Sequence, residues 1–141
     1  MTKRKASAVW SGSLKNGKGT LSTQSRVLSA TPYSFKTRFE EEPGTNPEEL
    51  IGTAHAGCFS MALSMILGLA GLTPERIETD VTITMEKLGE GFEVTASHLD
   101  VVASIPGADE AEFQKAAEKA KESCPISKLM NARITITARL A

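Results

Sequence analysis

The sequence predicts an α+β fold that combines mostly antiparallel sheet with one long, buried helix. Three observations lead to this prediction. Several segments alternate apolar with polar residues, the stretch at residues 46–72 begins like a helix and is largely apolar, and a second helical pattern follows Asp109. The elements follow one another in the order β-β-β-α-β-β-α-β. With 141 residues the chain is expected to form one domain, residues 1–141.

Composition and charge restrict the function classes. Hydrophobic residues make up 40% of the chain and charged residues 23%, which is ordinary for a soluble globular protein. The 16 Lys and Arg against 17 Asp and Glu leave no basic excess, so no nucleic-acid partner is expected. The first residues are basic and then polar, without the apolar segment of a secretion signal. We therefore expect a cytoplasmic protein.

The amino-terminal part is predicted to form short strands. The Asn16-Gly17 pair is typical of a hairpin turn and lies between residues 8–10 and a strand that begins at Thr20. Residues 33–39 alternate aromatic with polar side chains and are predicted to form a further strand, with Arg38 on its polar face.

A long helix is predicted to begin at Asn46. Asn46 suits the cap, Pro47 suits the first helical position, and the carboxylates of Glu48 and Glu49 favour the positive end of the helix dipole. Gly71 is predicted to end the helix.

Small residues recur at every fourth position of this helix, at Gly52, Ala56, Ser60, Ser64 and Gly68. Such a row forms a shallow groove that another helix can approach closely. Since only one other substantial helix is predicted, we expect the partner to be the same helix of a second subunit. The row therefore predicts a homodimer.

The uncharged run at residues 50–72 is long enough to cross a membrane, which makes a membrane protein an alternative. The run contains His55, several hydroxyl side chains and 4 glycines, and acidic rather than basic residues precede it. We favour a helix in the core of a soluble protein without a membrane partner.

The second half of the chain contains two further strand patterns. Residues 81–96 predict a hairpin, and a change of phase after it predicts a bulge near Ser97 and His98. Residues 134–140 alternate again and predict a last strand.

Cys124 follows a helix that Asp109 is predicted to cap. Pro125 interrupts that helix and starts a short second one, so Cys124 is predicted at a helix N-terminus, where a thiolate is favoured. The plain alternative is a small capping residue. The 2 cysteines and 2 histidines show no zinc-like spacing, so no metal is expected.

Cys58 lies inside the apolar helix, about 15 Å from its start and beyond the reach of the helix dipole. A thiol in apolar surroundings has a raised pKa and is inert unless a cation stabilises the thiolate. Taken alone, Cys58 is well explained as a packed, small hydrophobic residue. His55, one turn earlier, is either its hydrogen-bond partner or a core histidine. Arg38 alone is explained as a solvent-facing residue.

Three segments resemble the OsmC/Ohr family of osmotically induced and organic-hydroperoxide-resistance proteins. They are TRFE at residues 37–40, GTNPEELIGTAHAGCFSMAL at residues 44–63 and SCPIS at residues 123–127. AHAGCF together with TRFE is similar to the OsmC branch. The resemblance implies an intertwined homodimer with sheets wrapped around long central helices. It also implies a thiol-dependent peroxidase that reduces organic hydroperoxides better than hydrogen peroxide and needs no cofactor except an external dithiol reductant.

The resemblance also implies roles for four residues. Cys58 matches the peroxidatic cysteine, Cys124 the resolving cysteine, Glu48 the family glutamate and Arg38 the arginine of the OsmC branch. We hypothesise that the Arg38 guanidinium holds Glu48 and stabilises the Cys58 thiolate. Because ten residues of helix span about 15 Å, Glu48 and Cys58 of one chain are far apart, and we expect sites shared between subunits.

Apolar walls from Phe59, Met61, Leu63 and the sheet are expected to favour organic hydroperoxides. The competing function is a dimeric module that binds a lipophilic ligand, with the two cysteines as a redox-sensitive latch.

Overall fold

The computed structural model describes residues 1–141 and contains two compact units, Met1–Leu50 and Ile51–Ala141. The first unit holds a three-stranded antiparallel sheet in the order β1-β2-β3, formed by β1 (Ala6–Ser11), β2 (Lys18–Thr23) and β3 (Thr31–Tyr33). The hairpin predicted around Gly17 is confirmed. A side chain at Gly17 would collide with the backbone oxygens of Ser13 and Ser11, so the turn requires glycine there. A single domain over residues 1–141 stays a prediction.

The strand predicted at residues 33–39 is wrong beyond Tyr33, because a short helix, α1 (Phe35–Phe39), follows. Ser34 caps this helix: its hydroxyl accepts the backbone N–H of Thr37 at 3.2 Å, and the Thr37 hydroxyl accepts the backbone N–H of Ser34 at 2.9 Å. This reciprocal capping box outweighs the strand-like alternation. Phe35 and Phe39 therefore stack one turn apart, with ring centroids 4.9 Å apart.

The long helix α2 (Pro47–Leu69) begins and ends where the sequence predicts. The Asn46 Oδ1 atom accepts the backbone N–H of Glu49 at 2.8 Å, and Gly71 adopts a φ of 78° after the last turn. Only one face of α2 is buried within the chain, and that face consists of Gly52, His55, Phe59, Leu63 and Leu67. The prediction of a buried helix therefore holds for one face only.

The row of small residues does not face a second helix over its first half. A side chain added at Gly52 would touch Ile83 Cγ1 at 3.4 Å, and the Ser60 hydroxyl hydrogen-bonds that of Thr79 at 2.8 Å. Both partners lie on the strand β4 (Arg76–Leu88) of the same chain. This part of the prediction is wrong, because close approach to a strand needs small residues just as close approach to a helix does.

The second sheet has the order β4-β5-β6, with β5 at Gly91–Ser104 and β6 at Arg133–Leu140. Strands β4 and β5 form the predicted antiparallel hairpin, whereas β6 pairs with β5 in parallel. Thr84 pairs with Ala96 and Met85 with Val94, so the extra residue is Thr95. The bulge therefore lies two residues before the predicted Ser97.

Two helices connect β5 to β6, which is what a parallel pair requires. They are α3 (Glu110–Ser123), capped by Asp109, and α4 (Pro125–Leu129), which follows Cys124 directly. The hydrophobic core of the second unit forms between the buried faces of α2, α3 and β5. Its largest members are Phe59, Leu63, Leu67, Leu99, Val101 and Phe113.

Candidate active site

The two cysteines are in direct contact. Cys58 Sγ and Cys124 Sγ lie 2.6 Å apart, and both residues are free thiols. Helix α2 presents Cys58 at its middle, and the chain presents Cys124 at the junction where α3 ends and Pro125 starts α4. Cys124 is fully buried and Cys58 is partly exposed. The structure therefore leaves Cys58 open to a small molecule and keeps Cys124 behind it.

The surroundings of Cys58 in the second unit oppose ionisation. Burial, followed by the neighbouring Cys124 sulfur, raises the pKa of the Cys58 thiol above its ordinary value. The backbone N–H of Ile126, in the first turn of α4, hydrogen-bonds Cys58 and lowers the pKa. Among residues 51–141, no cation contributes to this balance. An additional positive charge is needed for a thiolate at neutral pH.

Arg38 and Glu48 form an ion pair in the first unit. Arg38 Nη2 donates to Glu48 Oε1 at 2.7 Å, and Arg38 Nε lies 3.1 and 3.2 Å from the two carboxylate oxygens. Helix α1 presents the arginine and the first turn of α2 presents the glutamate. The Arg38 guanidinium also lies 5.1 Å from the centre of the Phe39 ring. The two residues that the sequence assigned to one site are thus bound to each other with fork-like geometry.

His55 forms a buried network that the sequence did not reveal. Its Nδ1 lies 2.7 Å from the hydroxyl of Ser97 on β5, and its Nε2 lies 2.7 Å from the hydroxyl of Ser127 on α4. The side chain is fully buried, and burial lowers the pKa of His55, so the imidazole is neutral near pH 7. Ser97 and Ser127 are 42 and 72 residues away in sequence, which is why periodicity could not identify them. The only signal was Ser127 in the same SCPIS segment as Cys124.

An apolar pocket of about 240 Å³ is lined by residues one helical turn from Cys58 and next to Cys124 in α4. Ala54, one helical turn before Cys58, forms part of its wall, and so does Ile126, whose N–H binds Cys58. The remaining wall is mostly aliphatic and comprises Ile51, Val94, Leu129, Met130, Asn131 and Ala132.

Phe59, Met61 and Leu63, which the sequence predicts as walls of the substrate pocket, do not line this pocket. Phe59 and Leu63 are fully buried in the core, and Met61, which is 77% exposed, lies on the same face of α2 as Ala54. Positions four before and three after a residue share its side of a helix, so Ala54 and Met61 both flank Cys58.

The structure contains no group of three or more His, Cys, Asp or Glu side chains arranged to hold a metal ion. Helix α2 is long and apolar enough to cross a membrane by length and composition, with a mean hydropathy of 1.6 over its most apolar window.

Comparison with known proteins finds relatives that are described as OsmC or as organic hydroperoxide resistance proteins. The sequence model of the family described as OsmC-like protein matches residues 39–139. The chain is 50% identical to the peroxiredoxin OsmC of Escherichia coli over 137 residues, covering 97% of this chain and 96% of the relative. It is 30% identical over 99 residues to an organic hydroperoxide resistance protein of Xanthomonas axonopodis, covering 70% and 68% of the two chains.

Solved structures share the fold at lower identity. An OsmC-like protein from Vibrio cholerae superposes with a TM-score of 0.77 at 16% identity, covering 99% of this chain and 100% of the other. The organic hydroperoxide resistance protein OhrB of Bacillus subtilis superposes with a TM-score of 0.68 at 21% identity, covering 97% and 98%. These likenesses establish the α+β fold with its two small sheets.

Proposed function

Because this chain belongs to the OsmC family, we infer that it is a cysteine-based peroxidase that reduces organic hydroperoxides. The observation that carries this conclusion is the 2.6 Å contact between the sulfurs of Cys58 and Cys124. A peroxidase of this type needs one exposed thiol to attack the substrate and a second thiol within reach to form a disulfide. Cys58 supplies the exposed thiol and Cys124 the second one.

Cys58 is proposed to act as the peroxidatic residue. Its thiolate attacks the terminal oxygen of the hydroperoxide, so an S–O bond forms while the O–O bond breaks. The leaving alkoxide takes up a proton and departs as an alcohol. Sulfur is oxidised to a sulfenic acid and the peroxide is reduced.

Cys124 is proposed to act as the resolving residue. Its sulfur attacks the sulfenic sulfur of Cys58, an S–S bond forms, and the hydroxyl group leaves as water after gaining a proton. An external dithiol then returns both cysteines to thiols by two exchange steps. The thiols themselves carry the redox chemistry, so the proposed cycle needs no prosthetic group.

Arg38 is proposed to supply the charge that Cys58 lacks. A guanidinium is charged at every physiological pH and, while one edge binds Glu48, it retains N–H donors for a thiolate. The bidentate contact with Glu48 supports this role because it fixes the orientation of the guanidinium. Helical rise places Glu48 and Cys58 of one chain about 15 Å apart, so we propose that each site combines residues of two subunits.

A homodimer is proposed on a second ground, the uncovered face of α2. Met61, Met65 and Leu69 are 77%, 61% and 81% exposed, and Ala54, Gly57 and Gly68 lie exposed on the same face. This face bears no charged side chain. Contiguous apolar surface of this kind is rarely left in water. A second copy of the same helix would cover it, with the small residues permitting close approach.

The pocket lined by Ala54 and Ile126 is proposed to hold the alkyl group of the substrate. Its aliphatic lining gives an alkyl hydroperoxide apolar contact that hydrogen peroxide cannot use. A module that only binds a lipophilic ligand would need the same pocket. The two functions are therefore distinguished by whether the protein consumes hydroperoxide catalytically. We further propose a cytoplasmic location, where a reducing environment keeps both thiols ready.

The decisive experiment is a titration of the reduced protein with cumene hydroperoxide, followed by mass analysis of the peptides. We expect one equivalent of peroxide to produce a Cys58–Cys124 disulfide and, with dithiothreitol present, continued consumption of peroxide. Cys58→Ser should abolish both. A ligand-binding module would instead bind cumene hydroperoxide without consuming it, and that result would refute the peroxidase function.

A further inference from the structure

The buried network around His55 connects the two cysteine-bearing segments. His55 lies on α2 one turn before Cys58, Ser127 lies on α4 three residues after Cys124, and Ser97 lies on β5. Both ring nitrogens of His55 make 2.7 Å hydrogen bonds, one to each serine hydroxyl. A neutral imidazole offers one donor and one acceptor, and each hydroxyl can complement either. All the polar atoms of the network are therefore satisfied without charge.

Helix α4 depends on this network for its position. An isolated helix of its length is unstable in water, so tertiary contacts must hold it. Ser127 is the only buried residue of α4, and its hydroxyl bonds to His55. Leu129, in the last turn, is 78% exposed. The contact with His55 thus attaches the one buried side chain of the helix to α2.

The position of α4 matters because two groups at its start touch the reacting sulfur. Cys124 caps the helix and contacts Cys58, and the N–H of Ile126 hydrogen-bonds Cys58. A displacement of α4 would separate Cys124 from Cys58. Removing one partner of a buried hydrogen bond leaves the other unsatisfied and weakens the attachment.

We propose that His55 is a positioning residue that holds α4, and with it Cys124, against Cys58 through Ser127, so that the sulfenic acid is resolved before a second peroxide arrives. This inference rests on the proposed peroxidase function. Resolution forms the S–S bond and releases water, whereas a second hydroperoxide would oxidise the same sulfenic acid to a sulfinic acid and release an alcohol. The network decides which of the two reactions is faster.

The test compares variants of the two serines in the full chain. Ser127→Ala removes the bond to α4, and Ser97→Ala is the matched control that removes the other bond of the same ring without touching α4. Each reduced protein is mixed with one equivalent of cumene hydroperoxide in a rapid-quench apparatus. Dimedone traps the sulfenic acid, and mass analysis gives the rates of its appearance and of its conversion to disulfide.

For Ser127→Ala we expect conversion of sulfenic acid to disulfide to slow by about tenfold, the loss that one buried hydrogen bond of ordinary strength would cause. Sulfinic acid at Cys58 should accumulate when peroxide is in excess. Ser97→Ala should convert the sulfenic acid to the disulfide at a rate within about threefold of that of the unmodified protein, because it keeps the bond between His55 and Ser127. A threefold change in rate corresponds to about half the free energy of an ordinary hydrogen bond. Ser127→Thr keeps the hydroxyl, and His55→Gln keeps one donor and one acceptor. Both variants should convert the sulfenic acid to the disulfide at most of the rate of the unmodified protein.

Three results would overturn the inference. Unchanged resolution in Ser127→Ala would do so, as would equal slowing in both serine variants, which indicates general destabilisation. The inference would also be overturned if Ser127→Thr had an unchanged circular-dichroism melting curve and still converted the sulfenic acid to the disulfide as slowly as Ser127→Ala. Failure of the underlying function is distinct, because the unmodified protein would then form no sulfenic acid at all.

Discussion

Cys58 and Cys124 are separated by 66 residues in sequence, yet their sulfur atoms lie 2.6 Å apart in the reduced protein. A disulfide requires a sulfur separation of about 2.05 Å, so oxidation demands only a small local movement. Where two thiols start far apart, the sulfenic acid is exposed to further oxidation until the second thiol reaches it. Here the second thiol is already in place.

Replacement of the resolving thiol should separate the two half-reactions. In Cys124→Ser, Cys58 still reacts with one equivalent of cumene hydroperoxide, because it does not need Cys124 for the first attack. Recycling by a dithiol should then be slow, and excess peroxide should convert Cys58 to sulfinic acid. Intact-mass measurement follows both products. Multiple fast turnovers in this variant would show that another thiol resolves the intermediate.

Loss of the guanidinium should raise the pKa of Cys58. Arg38→Met removes the proposed cation, and a nearby opposite charge shifts a pKa by about 1 to 3 units. We expect the rate of iodoacetamide alkylation of Cys58 at pH 7 to fall by about tenfold or more in Cys124→Ser/Arg38→Met relative to Cys124→Ser. The control is Arg26→Met in the same Cys124→Ser background, which removes an exposed arginine in a turn. Equal alkylation rates at pH 7 in all three proteins would remove Arg38 from the mechanism.

Complementation tests whether each site is shared between subunits. Arg38→Met and Cys58→Ser should each be nearly inactive alone. If Arg38 of one subunit serves Cys58 of the other, each mixed dimer contains one intact site, and random exchange should restore about a quarter of the activity. The assay is peroxide consumption after unfolding and refolding the two variants together. If each site is formed within one subunit, no activity returns.

A charge on the uncovered face of α2 should prevent dimer formation. Met65→Lys places an ammonium group in the proposed interface, where burying it without a partner weakens association by at least about tenfold. Val27→Lys, at a position that is 84% exposed in the first unit, is the matched control. Sedimentation equilibrium gives the dissociation constants. A monomeric unmodified protein would contradict the proposed assembly.

Acid should destabilise the protein through His55. Burial lowers the pKa of His55 below its ordinary value of 6.5, so the unfolded chain binds a proton in a pH range where the folded chain does not. Stability is therefore retained above pH 6.5 and declines as the pH falls from there towards the lowered pKa, by at most about 1.4 kcal/mol per pH unit. Urea unfolding between pH 7.5 and 5 should show a shallower decline for His55→Gln. Parallel curves would show that His55 does not contribute.

The elements that local chemistry determines were predictable from the sequence. Asn46 and Asp109 cap their helices as expected, and Pro125 starts α4 immediately after Cys124. The helix within residues 33–39 was not predictable, because the same residues show both the alternation of a strand and a Ser34–Thr37 capping box. The pattern of hydrophobic residues gives no information on hydrogen bonds between side-chain hydroxyls and the backbone.

The candidate site was predictable only in part. The segments around Cys58 and Cys124 identified the two thiols as candidates, and the structure places their sulfur atoms 2.6 Å apart. The partners of His55 depend on how α2, β5 and α4 pack, and no local signal encodes that. The lining of the pocket near Cys58 could not be predicted for the same reason, since Ile51, Val94 and Met130 come from segments far apart in sequence.

Strand β6 runs parallel to β5, so the connection that carries Cys124 leaves β5 at one end and must return to it at the other. Both ends of this connection are therefore held at the same pair of hydrogen-bonded strands. Movement of Cys124 during the redox cycle can then be accommodated within the connection, through α3 and α4, without any change in the pairing of the two strands.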